Sequence, residues 1–291
     1  MTVQGVIFDY KTLLLEADAP KAAQASRMLW QLRERELRWC LFTTDPLSNE
    51  LKQRFEHLGY PEPDLLVDLT QIPSGKRRGS PDWIDVVTNA LGIHRHQLLY
   101  VGCSTLDWRT AINSGVLYLH ANWAARQPGG TTSLTVESPL EVPSFFETFL
   151  ATPPAWAYGL DQGNWKLRSL LPASAILPCT SPRQKFTLQD VFTYDKAIKV
   201  NDEDARDLLM LFVLSNAYLE GLIPANPVIC VYPGSKRGKV SLQLADYLDR
   251  AAKLFHGYYK DDLLVRASDA IDTSLERVNA RKKGRTPNVS I

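Results

Sequence analysis

The chain has 291 residues, with 33 Lys+Arg against 32 Asp+Glu, 45% hydrophobic and 22% charged residues. That length accommodates two domains with ordinary cores, and the near-neutral balance excludes a global polyanion-binding surface, so a phosphate-rich ligand needs a local site. No apolar run approaches the length of a bilayer crossing and the start lacks a signal-type stretch, while Cys40, Cys103, Cys179 and Cys230 show no paired spacing; the expectation is a cytoplasmic protein with reduced thiols and no membrane contact.

The first predicted element is the apolar run Val6-Ile7-Phe8 ending in Asp9. It reads as a buried parallel strand that delivers a carboxylate to the edge of a sheet, where open α/β folds place their ligands. A helix follows over Ala19–Glu36, with apolar positions at Ala22, Ala25, Met28, Leu29 and Leu32 in helical period. A second strand, Leu37 to Phe42, ends in Thr43, Thr44 and Asp45, and Pro46 stops it. The next helix runs from Ser48 to Leu58, with Ser48 or Asp45 as its N-cap and Gly59 at its end.

Leu65-Leu66-Val67 is a short strand, and the basic loop Gly75-Lys76-Arg77-Arg78-Gly79 precedes a helix that opens at Ser80-Pro81 and ends at Leu91-Gly92. Leu98 to Val101, then Gly102, Cys103, Ser104 and Thr105, then Asp107 to Gly115 reads as strand, turn and helix. Ser104 and Thr105 suit its N-terminus. Val116 to His120 is a further strand, Gly129 to Ser133 a loop, and Pro143 to Leu150 a short helix closing a first domain of residues 1–150.

Residues 151–156, with Pro153-Pro154, form the expected linker, and 157–291 a second, smaller α/β domain. Trp156 to Leu171 shows no clear period, and Trp156, Tyr158 and Trp165 are expected at a contact between the domains. Leu188 to Tyr194 begins a helix, Asp202 to Leu222 is a strong one, and Pro227 to Gly234 is the clearest strand of this half. It leads through the basic loop Ser235–Lys239 into a helix over Ser241–Phe255, and Arg281 to Arg285 closes a basic tail. No nucleic-acid-binding motif accompanies these basic loops, so nucleic acid is not an expected partner.

Four segments in this order, Val6 to Leu14, Leu37 to Thr44, Lys76 to Gly92 and Leu98 to Gly115, resemble the motifs of the haloacid dehalogenase-like phosphohydrolase superfamily. The resemblance implies a three-layer, doubly wound, mainly parallel sheet. It further implies Asp9 as an aspartyl nucleophile and Thr43 with Thr44 on the phosphoryl oxygens. Arg78 would be the balancing cation, with Lys76 and Arg77 near enough to substitute, Lys76 and Ser104 would be further substrate contacts, and Asp9 with Asp107 would hold magnesium. Two residues depart from the pattern: Lys11 stands where the family has its second aspartate, and Cys103 replaces an aspartate of the fourth motif. Magnesium prefers hard oxygen ligands, and an ammonium supplies none, so Lys11 enters the catalytic set only as a charge.

The second half more weakly resembles competence-type phosphoribosyltransferase-like domains through its order of strand, basic loop and helix, without the acidic, Thr/Gly-rich ribose-phosphate loop. Three functions stay open: a phosphohydrolase acting on or binding a phosphorylated small molecule or nucleotide, a catalytically silent two-domain module with a protein partner, and phosphoribosyl chemistry in the second half.

Overall fold

In the computed structural model the described residues are 1–15, 18–44, 49–73, 75–172, 174–178, 185–193, 196–231, 242–265 and 273–285. The helix N-cap candidates Asp45 and Ser48, the thiol Cys179 and the basic loop 235–239 lie outside them. Among the described residues no helix is long and apolar enough to cross a membrane.

The first half is built on β1 (Gly5–Asp9), α1 (Ala19–Glu34), β2 (Arg38–Phe42), α2 (Asn49–His57), β3 (Leu65–Val67), α3 (Asp82–Leu91), β4 (Leu98–Gly102), α4 (Thr105–Asn113), β5 (Leu117–Ala121), β6 (Leu134–Val136) and α5 (Glu141–Phe149). The six strands form one sheet in the order β3-β2-β1-β4-β5-β6, and every pairing in it is parallel. The chain runs outward from β1 on one side, then returns to β4 on the other. The carboxyl ends beside β1 therefore flank the crevice where such folds bind ligands.

Successive side chains of a strand point to opposite faces, and both faces here are covered. Val6 and Phe8 pack with Trp39, Leu41, Leu99 and Val101 under α1 and α5. Ile7 packs with Cys40, Phe42 and Tyr100 under α3 and α4, through Trp83, Ile84, Val87 and Ala111. This accounts for the near-continuous apolar runs of β1, β2 and β4, which alternate between two cores instead of between core and water. Helix α3 ends at Gly92, whose φ of +64° closes it in the left-handed conformation that glycine tolerates.

The second half contains the hairpin β7 (Tyr158–Gln162) and β8 (Trp165–Ser169), then α6 (Leu188–Thr193), β9 (Lys199–Val200), β10 (Glu203–Asp204), α7 (Ala205–Leu219), β11 (Val228–Ile229), α8 (Leu242–Leu254), β12 (Tyr258–Tyr259) and α9 (Thr273–Lys282). Its described strands pair only two at a time. Of the strand expected over Pro227 to Gly234, the described part is strand at Val228–Ile229, paired in parallel with Tyr258–Tyr259, while Tyr232 to Gly234 lie outside the described residues. The stretch without a period is the antiparallel hairpin β7–β8. Of the three aromatics expected at a contact, Trp156 donates its indole N–H to Glu220 at 2.6 Å, while Tyr158 and Trp165 are exposed. From this half, Tyr218, Leu219, Ile223 and Phe255 enter the same core as Val6 and Phe8.

Candidate functional site

Asp9 ends β1 opposite Phe42 of β2 in the parallel register, so Thr43 stands one residue beyond it at the same sheet edge. A parallel strand must stop somewhere, and here the single 3-10 turn Tyr10–Thr12 stops it. The turn is held by Asp9 itself, whose Oδ1 accepts the Lys11 N–H at 2.9 Å and whose carbonyl accepts the Thr12 hydroxyl at 2.6 Å. Thr43 is buried, and its N–H donates to the Val67 carbonyl at 3.0 Å. Thr44 beside it is half-buried.

Arg78 reaches this edge from the turn before α3. Asn113 of α4 donates to the Gly79 carbonyl at 2.7 Å, and the Gly79 N–H donates to Thr110 Oγ1 at 2.8 Å. The turn is thereby fastened to the helix that also carries Asp107. One terminal nitrogen of Arg78, Nη2, lies 3.0 Å from Asp9 Oδ2, donates to Asp107 Oδ1 and donates to the Tyr100 hydroxyl at 2.5 Å. The guanidinium carbon sits 4.9 Å from the Trp83 ring centre and 5.4 Å from that of Phe42, a cation-π arrangement. Among the described residues Nε and Nη1 of Arg78 have no hydrogen-bond partner.

Asp107 is enclosed on every side. Its Oδ1 takes Arg78 and the Tyr100 hydroxyl at 3.1 Å. Its Oδ2 takes the N–H of Cys103 at 3.1 Å, the N–H of Ser104 at 3.0 Å and the Ser104 hydroxyl at 2.7 Å. Ser104 in turn accepts the Asp107 N–H at 3.2 Å, a reciprocal cap of α4. The Ser104 hydroxyl expected on a substrate is thus placed on Asp107.

Three acidic or thiol groups and one guanidinium share this buried volume, and their titration reflects it. Burial first, and repulsion by Asp107 second, push the Asp9 carboxyl up to about 7, against the lowering pull of Arg78 and the Lys11 N–H. Burial, with the charges of Asp107 and Asp9 behind it, pushes the Cys103 thiol up to about 12. Burial works against the charge of Arg78, but Tyr100, Asp107 and Asp9 together raise it above the ordinary value.

Of the residues expected from sequence, Asp9, Thr43, Arg78 and Asp107 converge on one edge. Lys76 does not join them: its ammonium is exposed and lies 3.8 Å from the Asp82 carboxylate. Lys11 touches Asp9 through its backbone N–H, while its side chain is exposed at the rim, with Nζ 5.9 Å from the Tyr10 ring centre. The ammonium is near enough to Cys103 to favour the thiolate slightly. Sequence reasoning missed the aromatic walls and Tyr100. Their signal was available, because Phe42 directly precedes Thr43 and Trp83 falls at the start of the helix after Arg78.

A divalent ion between Asp9 and Asp107 needs free carboxylate lone pairs and hard ligands at about 2.0–2.1 Å. Asp9, Cys103 and Asp107 do bring ligand atoms within 4.8 Å of one another. However, Asp107 already accepts five donors, the third ligand is a protonated thiol, and Arg78 stands between the two carboxylates. These residues do not fit magnesium.

No protein-family model matches the chain, and no curated protein matches it. Solved structures similar to it include CbbY from Rhodobacter sphaeroides in complex with phosphate, at 11% identity over 48% of this chain and 96% of that one with a TM-score of 0.39. A subfamily IA hydrolase of the HAD superfamily from Geobacter sulfurreducens aligns at 14% identity over 50% and 96% with a TM-score of 0.35. The cobalt-bound deoxy-D-mannose-octulosonate 8-phosphate phosphatase of Haemophilus influenzae aligns at 14% over 50% and 87% with a TM-score of 0.34. Likeness at this level concerns fold alone, and the overall scores add nothing to what the sheet shows. The sheet itself, in the order β3-β2-β1-β4-β5-β6 with Asp9, Thr43, Arg78 and Asp107 at one edge, is a doubly wound parallel α/β fold, and in this it is similar to haloacid dehalogenase-like proteins.

Proposed function

We propose that the sheet edge at Asp9 is a phosphohydrolase-type site that binds a phosphorylated small molecule and hydrolyses it slowly or not at all. The observation that supports this is the ion cluster of Asp9, Arg78 and Asp107 beside Thr43 and Thr44, with Lys11 at the rim. Threonine hydroxyls and a rim ammonium suit a phosphoryl group, which is recognised by charge-assisted hydrogen bonds. Attack on phosphorus asks more. The nucleophile needs a free, ionised oxygen, and Asp9 has one oxygen on the Lys11 N–H and the other on Arg78. Protonating a leaving group and activating a water need a carboxyl group that shuttles a proton, and Lys11 stands in that place.

Calorimetry with inorganic phosphate, without metal, tests the binding; release of phosphate from an aryl phosphate with magnesium tests the chemistry. Saturable phosphate binding is expected, weakened about tenfold or more in Lys11→Ala, since a hydrogen bond from a charged group contributes about 1.5–3 kcal/mol. Release at background, unaltered in Asp9→Asn, is expected alongside it. Magnesium-dependent turnover that Asp9→Asn abolishes would show a working hydrolase, and absence of phosphate binding would remove the reading altogether.

A further inference from the structure

We propose that the Arg78 guanidinium is the resident cation of this site, standing where a divalent metal would bridge Asp9 and Asp107, so that the site excludes magnesium and manganese. The inference deepens the reading of this edge as a phosphate-binding site, yet it concerns only which cation lies between the carboxylates.

The geometry has three parts. Nη2 of Arg78 touches Asp9 Oδ2, Asp107 Oδ1 and the Tyr100 hydroxyl together, so the point from which an ion would reach both carboxylates is filled by a charged nitrogen. Asp107 cannot turn another lone pair to an ion, because two donors hold Oδ1 and three hold Oδ2, more than the roughly four acceptor positions of a carboxylate. Finally, Arg78 cannot swing aside at small cost. Its side chain is only 3% exposed, it lies against Trp83 and Phe42, and its departure would leave two buried carboxylates facing each other.

The residue type is also informative. A lysine ammonium is a compact point charge, whereas a planar guanidinium can lie against an aromatic face while its tip bonds oxygen. Nε and Nη1 make no hydrogen bond among the described residues, the guanidinium carbon lies near both rings, and Nη2 makes the contacts to Asp9, Asp107 and Tyr100. Replacement of a carboxylate by Cys103 then fits the same arrangement. With a guanidinium supplying the charge, a third anionic ligand would only add repulsion, and the neutral thiol leaves its backbone N–H to hold Asp107.

The test uses the full chain without phosphate, so failure of phosphate binding has no bearing on it. Thermal unfolding is followed with millimolar magnesium, with manganese and with a chelator, and terbium emission is excited through tryptophan, since Trp83 adjoins the site. For the unmodified protein the expected result is one midpoint in all three solutions and no saturable emission that depends on Asp9. The variant Arg78→Met/Cys103→Asp is expected to have a lower midpoint in chelator, a rise with manganese and saturable emission. A metal-dependent midpoint in the unmodified protein, lost in Asp9→Asn, overturns the proposal. So does a folded double variant that ignores manganese, because the guanidinium would then not be what keeps the ion out. Should the double variant not fold, the measurement on the unmodified protein decides.

Discussion

Arg78 brings one positive charge to a volume that holds two carboxylates, and Asp9 shows the consequence. Its carboxyl titrates at about 7 in the folded chain against 3.8 for an unperturbed group. Between those values the native state holds a proton that the unfolded state has released, so this group makes stability fall as pH rises through the window. The slope is at most about 1.4 kcal/mol per pH unit for one proton. The groups facing Asp9 are Arg78, Asp107, Tyr100, Cys103 and the Lys11 N–H. Urea midpoints measured at about pH 5 and about pH 8 are expected to favour the acid side, and Asp9→Asn is expected to flatten the difference. An unchanged slope in that variant would assign the titration to another group.

Helix α4 positions Asp107, and the first turn of α4 is held by Ser104. Removing an N-cap hydroxyl costs about 1 kcal/mol, and Ser104→Ala also withdraws one of the five donors on Asp107. The expected outcome is a loss of about 1–2 kcal/mol in chemical denaturation, with Ser104→Thr close to the unmodified chain. Gly102 matters for a different reason: a Cβ there would fall 2.4 Å from the Asp107 Cβ, so the strand can approach α4 only as glycine.

The hairpin β7–β8 shows how an element can be hidden in sequence. Tyr158, Leu160, Leu167 and Trp165 share one face through the pairs Leu160–Leu167 and Gln162–Trp165, and that face is outward, with all four residues at least 40% exposed. On the opposite face Gly159, Asp161 and Lys166 are exposed as well, and only Arg168 is partly covered, where its Nε donates to Glu220 at 2.9 Å. With both faces of the hairpin largely exposed, the alternation carries no buried apolar face, and a search for one passes over it. Gly163-Asn164, with Gly163 at a φ of +57°, was the local sign of a hairpin.

Over the whole molecule, the two halves of the chain share a core. Helix α7 lies beside α5, with the Phe149 and Phe212 rings 5.0 Å apart. Tyr218 is fully buried, and its hydroxyl donates toward the carbonyls of Leu98 at 2.6 Å and Arg95 at 2.8 Å, where the chain enters β4. Tyr218→Phe is expected to cost about 1–3 kcal/mol and Tyr218→Ala about 3–5 kcal/mol, both as shifts of a single unfolding transition; two separate transitions would show that the halves unfold independently. The amino-acid sequence by itself determined the strands that end at Asp9, Phe42 and Gly102, the helices between them and the order of motifs, because periodicity, glycine and capping act within a few residues. The resemblance of its motifs also put Arg78 ahead of Lys76 and Arg77 as the balancing cation. What only the tertiary structure decided was where that guanidinium points. Its position between Asp9 and Asp107, the aromatic walls of Phe42 and Trp83, and the entry of Tyr218 into the core of β1 all depend on contacts between residues far apart in the chain, which no local pattern encodes.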